Sequence, residues 1–200
     1  MNIAEGSLKT RDKILETGLK LISEKGYLGA TTREIAKEAG IAEVTLFRHF
    51  PSKEKLFEEV LNTYSFLPAL RGLMPEIKKM PYQEALILIA RRYLDTLTLR
   101  KDMIRIMHSE VRLYPEKIHK IYRTFVRETV NTLASYFNEV RKKGELGQFD
   151  ADLAARAFLG IFFSYFNAQE FHMLKASSPA DTERTIKEFV SIFVGGTLKR

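Results

Sequence analysis

The chain has 200 residues, of which 45% are apolar, so it is long enough to bury a sizeable core, and it contains no cysteine. Disulfide scaffolds and thiolate metal sites are therefore excluded. We find neither a secretory leader nor an apolar run long enough for a membrane span, which predicts a cytoplasmic protein without a membrane partner. The formal net charge is +7, but residues 1–60 carry equal numbers of acidic and basic side chains, so bulk charge does not by itself predict nucleic-acid binding.

The spacing of apolar residues predicts helices along the whole chain, since no stretch alternates convincingly with period two. A first helix is predicted over residues 9–25, and Gly26 is expected to end it. Thr31 and Glu34 have the types and spacing of a capping box. They predict the start of a short second helix, which Gly40 ends about eight residues later.

A third short helix is predicted over residues 43–50, and Ser52 is the expected N-cap of a fourth helix that begins at Lys53. Helix breakers then follow closely and predict a seam in the chain, namely Pro68, Gly72, Pro75 and Pro81. Beyond this seam, helices are predicted over 82–99, 102–113, 115–143 and 151–175, with a last helix from Ser178.

These elements predict an all-α protein of about nine helices, with an N-terminal three-helix domain and a larger helical domain behind it. The domain boundaries are predicted at residues 1–52 and 53–200, with the helix from Lys53 as the connector. We find no internal repeat.

The second and third helices form a helix-turn-helix pattern around Gly40, which permits the left-handed backbone of a tight turn. Successive residues of a helix rotate by about 100°, so Leu46 and Phe50 are expected to be buried together. The opposite face of the third helix then carries short polar, apolar and cationic groups that suit a DNA major groove: Val44, Thr45, Phe47 and Arg48, with His49 at the edge.

Individual contacts with DNA follow from side-chain chemistry. Arg33 and Arg48 can each donate two hydrogen bonds to a guanine, Val44 can press on a thymine methyl, and Glu43 can accept from a cytosine amine. Phosphate contacts are predicted for Thr32, Thr45, His49 and Lys53.

Residues 31–56 read TTREIAKEAGIAEVTLFRHFPSKEKL, which resembles the helix-turn-helix of the tetracycline-repressor (TetR) family of bacterial regulators. The resemblance covers residues 9 to about 61. It implies that the residues facing DNA are Thr32, Arg33, Glu43, Val44, Thr45, Phe47, Arg48, His49 and Lys53. Two residues depart from the family's pattern. Ala42 stands where Ser or Thr often caps the recognition helix, and Phe47 stands where a Tyr often offers a hydroxyl.

The last two helices carry more apolar residues than one core needs. Such faces can be buried within a monomer. The resemblance implies instead that they pair with a second copy in a four-helix interface, so that a homodimer reads a near-palindrome. The interface residues predicted are Phe158, Ile161, Tyr165, Phe189 and Phe193.

The middle helices hold a set of bulky side chains, which at helical spacing are usually core residues. The resemblance implies an effector pocket in this region, and we expect an apolar or amphipathic small molecule there. The pocket residues predicted are Tyr64, Phe66, Tyr93, Met103, Met107, Tyr122, Phe125, Phe162 and Phe166.

Together these features predict a ligand-responsive repressor that is released from double-stranded operator DNA by its effector. No cofactor or metal is expected. An enzyme is not predicted, because catalytic motifs are lacking and the four histidines are scattered. The alternative is an all-helical protein-interaction module that does not bind DNA.

Overall fold

The structure, a computed structural model, describes residues 3–171 and 178–199. Within these ranges the chain is helical and contains no extended strand, which confirms the all-α prediction. The α-helices are α1 (Ile3–Gly29), α2 (Thr32–Glu38), α3 (Glu43–His49), α4 (Lys53–Tyr64), α5 (Phe66–Ile77), α6 (Tyr82–Leu99), α7 (Lys101–Glu110), α8 (Glu116–Lys142), α9 (Ala151–Phe171) and α10 (Pro179–Thr197). The predicted extension of α9 to residue 175 lies outside the described residues. No helix in the described ranges is both long and apolar enough to cross a bilayer.

The predicted helix starts are confirmed by hydrogen bonds. The Thr31 hydroxyl accepts from the Glu34 backbone N–H at 3.2 Å, and the Glu34 carboxylate accepts from the Thr31 N–H at 3.2 Å. Ser52 caps α4, Asp150 accepts from the backbone of the first turn of α9, and Ser178 caps α10. Each cap satisfies backbone donors that the first turn of a helix leaves without partners.

The predicted seam over residues 68–81 is wrong, because most of it forms α5. Pro68 occupies the first turn of this helix, where a missing N–H costs nothing, and Pro75 lies near the other end. Apolar side chains recur at helical spacing between them and are buried, namely Phe66, Leu67, Leu70, Leu73 and Ile77. Within the predicted seam, the helical conformation ends after Ile77 and resumes at Tyr82, where α6 begins.

The helices form two compact units. The N-terminal unit consists of Met1–Ser65 and Arg100–Phe125, and the C-terminal unit consists of Phe66–Leu99 and Val126–Arg200. These units follow packing, whereas the predicted boundary at residues 52/53 divides the chain by function and stays a prediction.

The core of the N-terminal unit is built from two separate stretches of chain. Met103, Met107, Tyr114 and Ile118 of the second stretch are buried in the same cluster as apolar residues of α1, α3 and α4. Helix α7 lies along α1. The core around α1, α3 and α4 is therefore completed by a stretch of chain that begins only at residue 100.

The core of the C-terminal unit is rich in aromatic side chains. Phe158 packs edge-on against Phe162 and Phe193, with both ring-centre distances at 5.1 Å. The Tyr82 hydroxyl lies 3.0 Å from the Thr197 hydroxyl, whereas the hydroxyl of the neighbouring Tyr136 is buried without a hydrogen-bond partner among the described residues. Burial raises the pKa of Tyr82 to about 12, so its phenol stays neutral at neutral pH.

Candidate nucleic-acid interface

A tight turn joins α2 to α3. Gly40 has a φ of 67°, a left-handed conformation that glycine adopts without steric cost. The turn is closed by the Gly40 N–H, which donates to the Lys37 carbonyl, and by the Ile41 N–H, which donates to the Ala36 carbonyl. Ala36 and Ala39 are buried, and their small side chains allow the two helices to approach closely. The predicted helix-turn-helix is confirmed.

Helix α3 has one buried and one exposed face. Leu46 and Phe50 have 0% and 1% of their surface exposed, whereas Val44 and Phe47 have 63% and 41% exposed. This distribution confirms the predicted orientation of the helix.

Two arginines extend from this region without partners. Arg33 at the start of α2 and Arg48 near the end of α3 are both exposed. Neither makes an ion pair or hydrogen bond with any described residue. Their guanidinium donors are therefore available to a ligand with paired acceptors, such as a guanine edge or a phosphate.

Four acidic residues of the same region form ion pairs within the protein. Lys25 pairs with Glu34, Lys20 with Glu38, Arg11 with Glu59, and Lys55 with Glu58. The hydrogen bond from Lys25, followed by those from Thr31, lowers the pKa of Glu34 to about 2. Arg33 and Arg48 lie outside these ion pairs, so their charge stays unpaired among the described residues although residues 1–60 carry no net charge.

Thr32 and Glu43, which were predicted as separate DNA contacts, contact each other. The Thr32 hydroxyl donates to a Glu43 carboxylate oxygen at 2.7 Å, which ties the start of α2 to the start of α3. Within the part of the chain that the structure describes, only one of the two Glu43 carboxylate oxygens accepts a hydrogen bond. Helix α3 has no side-chain cap, because Ala42 supplies no oxygen, as the sequence indicates.

The remaining predicted contacts lie at the edges of the helices. Thr45 and His49 are half-buried, and the His49 ring lies 6.4 Å from the Phe50 ring. Lys53, the first residue of α4, places its ammonium 4.4 Å from the centre of the Tyr27 ring and donates to the Leu28 carbonyl at 3.4 Å. Sequence reasoning missed Tyr27, because nothing in the spacing connects positions 27 and 53. The DNA-binding roles of all nine residues stay predictions.

The residues predicted to line an effector pocket are divided between the two units. Tyr64, Met103, Met107, Tyr122 and Phe125 belong to the N-terminal unit, where both methionines are buried in the core cluster. The C-terminal unit contains Phe66, Tyr93, Phe162 and Phe166. The ring centres of Phe66 and Tyr93 lie 4.7 Å apart. The pocket stays a prediction.

The residues predicted for a dimer interface differ in their exposure. Phe158 and Phe193 are buried inside the C-terminal unit, whereas Ile161, Tyr165 and Phe189 are half-buried. Two further apolar residues on the same helices are more exposed, Leu153 at 62% and Ile192 at 70%. Sequence reasoning placed Leu153 on α9 but overlooked Ile192, since a single exposed residue does not disturb the apolar spacing of α10.

Two family models match this chain. Residues 14–60 match the model described as bacterial regulatory proteins, tetR family, and residues 84–196 match the C-terminal domain of AefR-like transcriptional repressors. The first match contains the whole helix-turn-helix and the start of α4.

Relatives and solved structures can be aligned with this chain over nearly its full length. The HTH-type transcriptional regulator YvkB of Bacillus subtilis is 28% identical over 187 residues, which cover 94% of this chain and 96% of YvkB. A TetR-family regulator from Mesorhizobium loti has a similar fold, with a TM-score of 0.79, 24% identity and coverage of 96% and 98% of the two chains. The fold also resembles the regulator FadR from Bacillus subtilis in complex with stearoyl-CoA, with a TM-score of 0.74, 19% identity and coverage of 92% and 97%.

The helix-turn-helix geometry, the match to the tetR model and the C-terminal match over more than half of the chain lead to one conclusion: the chain belongs to the TetR family of bacterial transcriptional regulators, which are DNA-binding proteins and not enzymes.

Proposed function

We propose that this regulator is a repressor that binds a near-palindromic operator as a homodimer and is released by an apolar or amphipathic small molecule. The observation that carries the proposal is the outer face of α3, where an unpaired Arg48 stands beside exposed Val44 and Phe47. Such a face offers a two-pronged donor for guanine and apolar contacts for thymine methyls, which is the chemistry of major-groove readout.

Dimerisation is supported by the outer faces of α9 and α10. Leu153 and Ile192 expose most of their apolar surface, and half-buried Ile161, Tyr165 and Phe189 lie on the same two helices. Pairing these faces across a two-fold axis would bury them and present two α3 helices about one turn of DNA apart, ~34 Å. The operator would then be a near-palindrome with the same spacing.

An amphipathic effector is supported by the aromatic composition of the C-terminal unit and by the fold neighbour that carries stearoyl-CoA. Long-chain acyl-CoA thioesters are therefore the first ligands to test. A ligand that weakens operator binding 100-fold must prefer the released state by about 2.7 kcal/mol.

The DNA-binding part of the proposal is tested by selecting duplexes from a randomised library with the purified protein and measuring affinity by fluorescence anisotropy. Arg48→Ala is expected to weaken binding to the selected duplex roughly 10- to 100-fold and to relax base preference at one position per half-site. Arg127→Ala is the matched control, because Arg127 on α8 is also exposed and has no ion pair among the described residues.

Two results would contradict the proposal. Selection that yields no enriched sequence, together with binding that does not weaken as salt is raised, would favour the alternative of a helical protein-interaction module. Equal affinities of Arg48→Ala and Arg127→Ala for the selected duplex would remove Arg48 from the interface.

The effector is tested separately by adding stearoyl-CoA, free coenzyme A or stearate to the preformed complex with DNA. Release by the thioester alone would identify an acyl-CoA, rather than a free fatty acid, as the ligand. The absence of release by any of the three would contradict the acyl-CoA candidate and leave the DNA-binding proposal intact.

A further inference from the structure

The ammonium group of Lys53 is held by contacts with the end of α1. It lies 4.4 Å from the centre of the Tyr27 ring, within the range of a cation–π interaction, and donates to the Leu28 carbonyl at 3.4 Å. A lysine ammonium has three N–H donors, so these contacts fix its direction and leave donors for an anion. Without them, the long side chain of Lys53 would sample many rotamers.

The Tyr27 ring is itself fixed. It is 5% exposed and packs against Phe57 of α4 at 5.1 Å and edge-on against Tyr114 at 5.9 Å. Burial, with a smaller contribution from Glu54, raises the pKa of Tyr27 to about 12, so the ring that faces Lys53 is a neutral phenol at neutral pH. A neutral, immobile ring is a suitable platform for an ammonium group.

Two residues from the stretch 100–125, Glu110 and Tyr114, support this ring. The Tyr114 hydroxyl donates to the Glu110 carboxylate at 3.0 Å. That carboxylate lies against Gly26, where any Cβ atom would come within 2.1 Å of a carboxylate oxygen. Gly26 also has a φ of 76°, a left-handed backbone conformation that favours glycine. Glu110 therefore lies beside the residue that precedes Tyr27, and Tyr114 packs on the Tyr27 ring itself.

Burial and neighbouring carboxylates shift the pKa of Lys53 in opposite directions. Burial lowers the pKa of Lys53, whereas the carboxylates of Glu110, Glu54 and Glu34 raise it. Burial is the larger effect, so the pKa of Lys53 lies below its usual value. Because it stands at the first residue of α4, in the predicted position for a phosphate contact, its orientation bears directly on DNA binding.

We propose that Tyr27 is a positioning residue for DNA binding: its ring holds the Lys53 ammonium in the direction of a backbone phosphate, and Glu110 and Tyr114 hold the ring. The inference rests on the proposed function, because it assumes that the protein binds DNA and that Lys53 reaches a phosphate. It adds that residues outside the helix-turn-helix set the strength of one phosphate contact.

The test compares Tyr27→Leu, Tyr27→Phe, Lys53→Ala and the double variant Tyr27→Leu/Lys53→Ala. Affinity is measured by anisotropy over a range of salt concentrations, for the selected duplex and for a duplex of random sequence. Tyr27→Leu is expected to weaken both complexes about 2- to 10-fold and to reduce the slope of log affinity against log salt by about one. Tyr27→Phe keeps the ring and is expected to match the wild type.

The double variant distinguishes positioning from folding. If Tyr27 acts through Lys53, Tyr27→Leu has no further effect once Lys53 is alanine. An equal loss in both backgrounds would mean a structural role and overturn the inference, as would an unchanged salt slope in Tyr27→Leu. Thermal unfolding of each variant identifies a loss of fold. If the wild type selects and binds DNA, an equal loss in both backgrounds or an unchanged salt slope contradicts only the inference about Tyr27. A wild type that binds neither duplex contradicts the proposed function itself.

Discussion

Glu34 joins three interactions at the first turn of α2. Its carboxylate accepts from the Thr31 backbone N–H, from the Thr31 hydroxyl and from Lys25. Each of these bonds favours the ionised form, and together they lower the pKa of Glu34 from 4.5 to about 2. A single side chain therefore links the start of the helix-turn-helix to the end of α1, and this link is strongest while the side chain is charged.

Glu34→Gln tests this link through pH. A carboxylate whose pKa is lower in the folded state than in the unfolded state stabilises the fold above its unfolded value near 4.5, and this stabilisation is lost as pH falls towards 2. The wild type should thus be more stable than Glu34→Gln at pH 7, and the difference should shrink between pH 4.5 and 2. Urea unfolding at several pH values measures it. A difference that stays constant with pH would show that charge is not its cause.

At the residue scale, local chemistry was predictable and long-range partners were not. The Thr31 capping box and the Ser52 cap depend on side chains three residues from their targets, so their spacing in the sequence identifies them. The ring beneath Lys53 belongs to a residue 26 positions away. Only the packing of α1 on α4 brings Tyr27 there, and no periodicity records that packing.

Helix α5 marks the limit of sequence reasoning at the scale of elements. Four breakers within 14 residues predicted a seam, yet Pro68 lies in a first turn and Gly72 is an exposed helical position. Burial of Phe66, Leu70 and Leu73 outweighs the weak helix propensity of this stretch. By contrast, α3 was predicted well, because its short amphipathic pattern is bounded by a glycine turn and by Pro51.

Substituting alanine for Gly40 and for Gly72 is expected to change the free energy of unfolding in opposite directions. Gly40→Ala places a Cβ atom at a φ of 67° and is expected to lower the free energy of unfolding by about 1–2 kcal/mol. Gly72→Ala lies in regular helix with nothing within 4 Å of the new Cβ, so it is expected to raise this free energy by about 0.5–1 kcal/mol. Urea unfolding of both variants measures the difference. If both changes acted in the same direction, the turn assignment at Gly40 would be wrong.

At the scale of the whole molecule, the family and the all-α architecture were predictable, whereas the packing units were not. The helix-turn-helix carries a specific motif, and amphipathic spacing identifies helices. The inclusion of residues 100–125 in the N-terminal unit depends on Met103 and Met107 entering the core around α1. Methionine fits many apolar sites, so its presence in a sequence does not reveal which core it fills.

The proposed homodimer leads to a prediction with a closely matched control. Ile192→Glu places a charge on the outer face of α10 and is expected to convert a dimer into monomers and to weaken operator binding strongly, because two linked α3 helices are needed for a palindrome. Leu99→Glu introduces the same charge at an equally exposed position, 70% in both cases, on α6. Sedimentation velocity gives the oligomeric state. A dimer that survives Ile192→Glu, or one that Leu99→Glu disrupts as well, would contradict the proposed interface.

The N-terminal unit is assembled from two stretches of chain with α5 and α6 inserted between them. This arrangement limits where two regulators of this family can be joined in a chimaera. A chimaera joined at residue 65 would separate α1 from the methionines that complete its core, whereas one that also transfers residues 100–125 would carry the core intact. A chimaera that combines the DNA specificity of one regulator with the effector specificity of another is therefore expected to fold only when residues 1–65 and 100–125 come from the same parent.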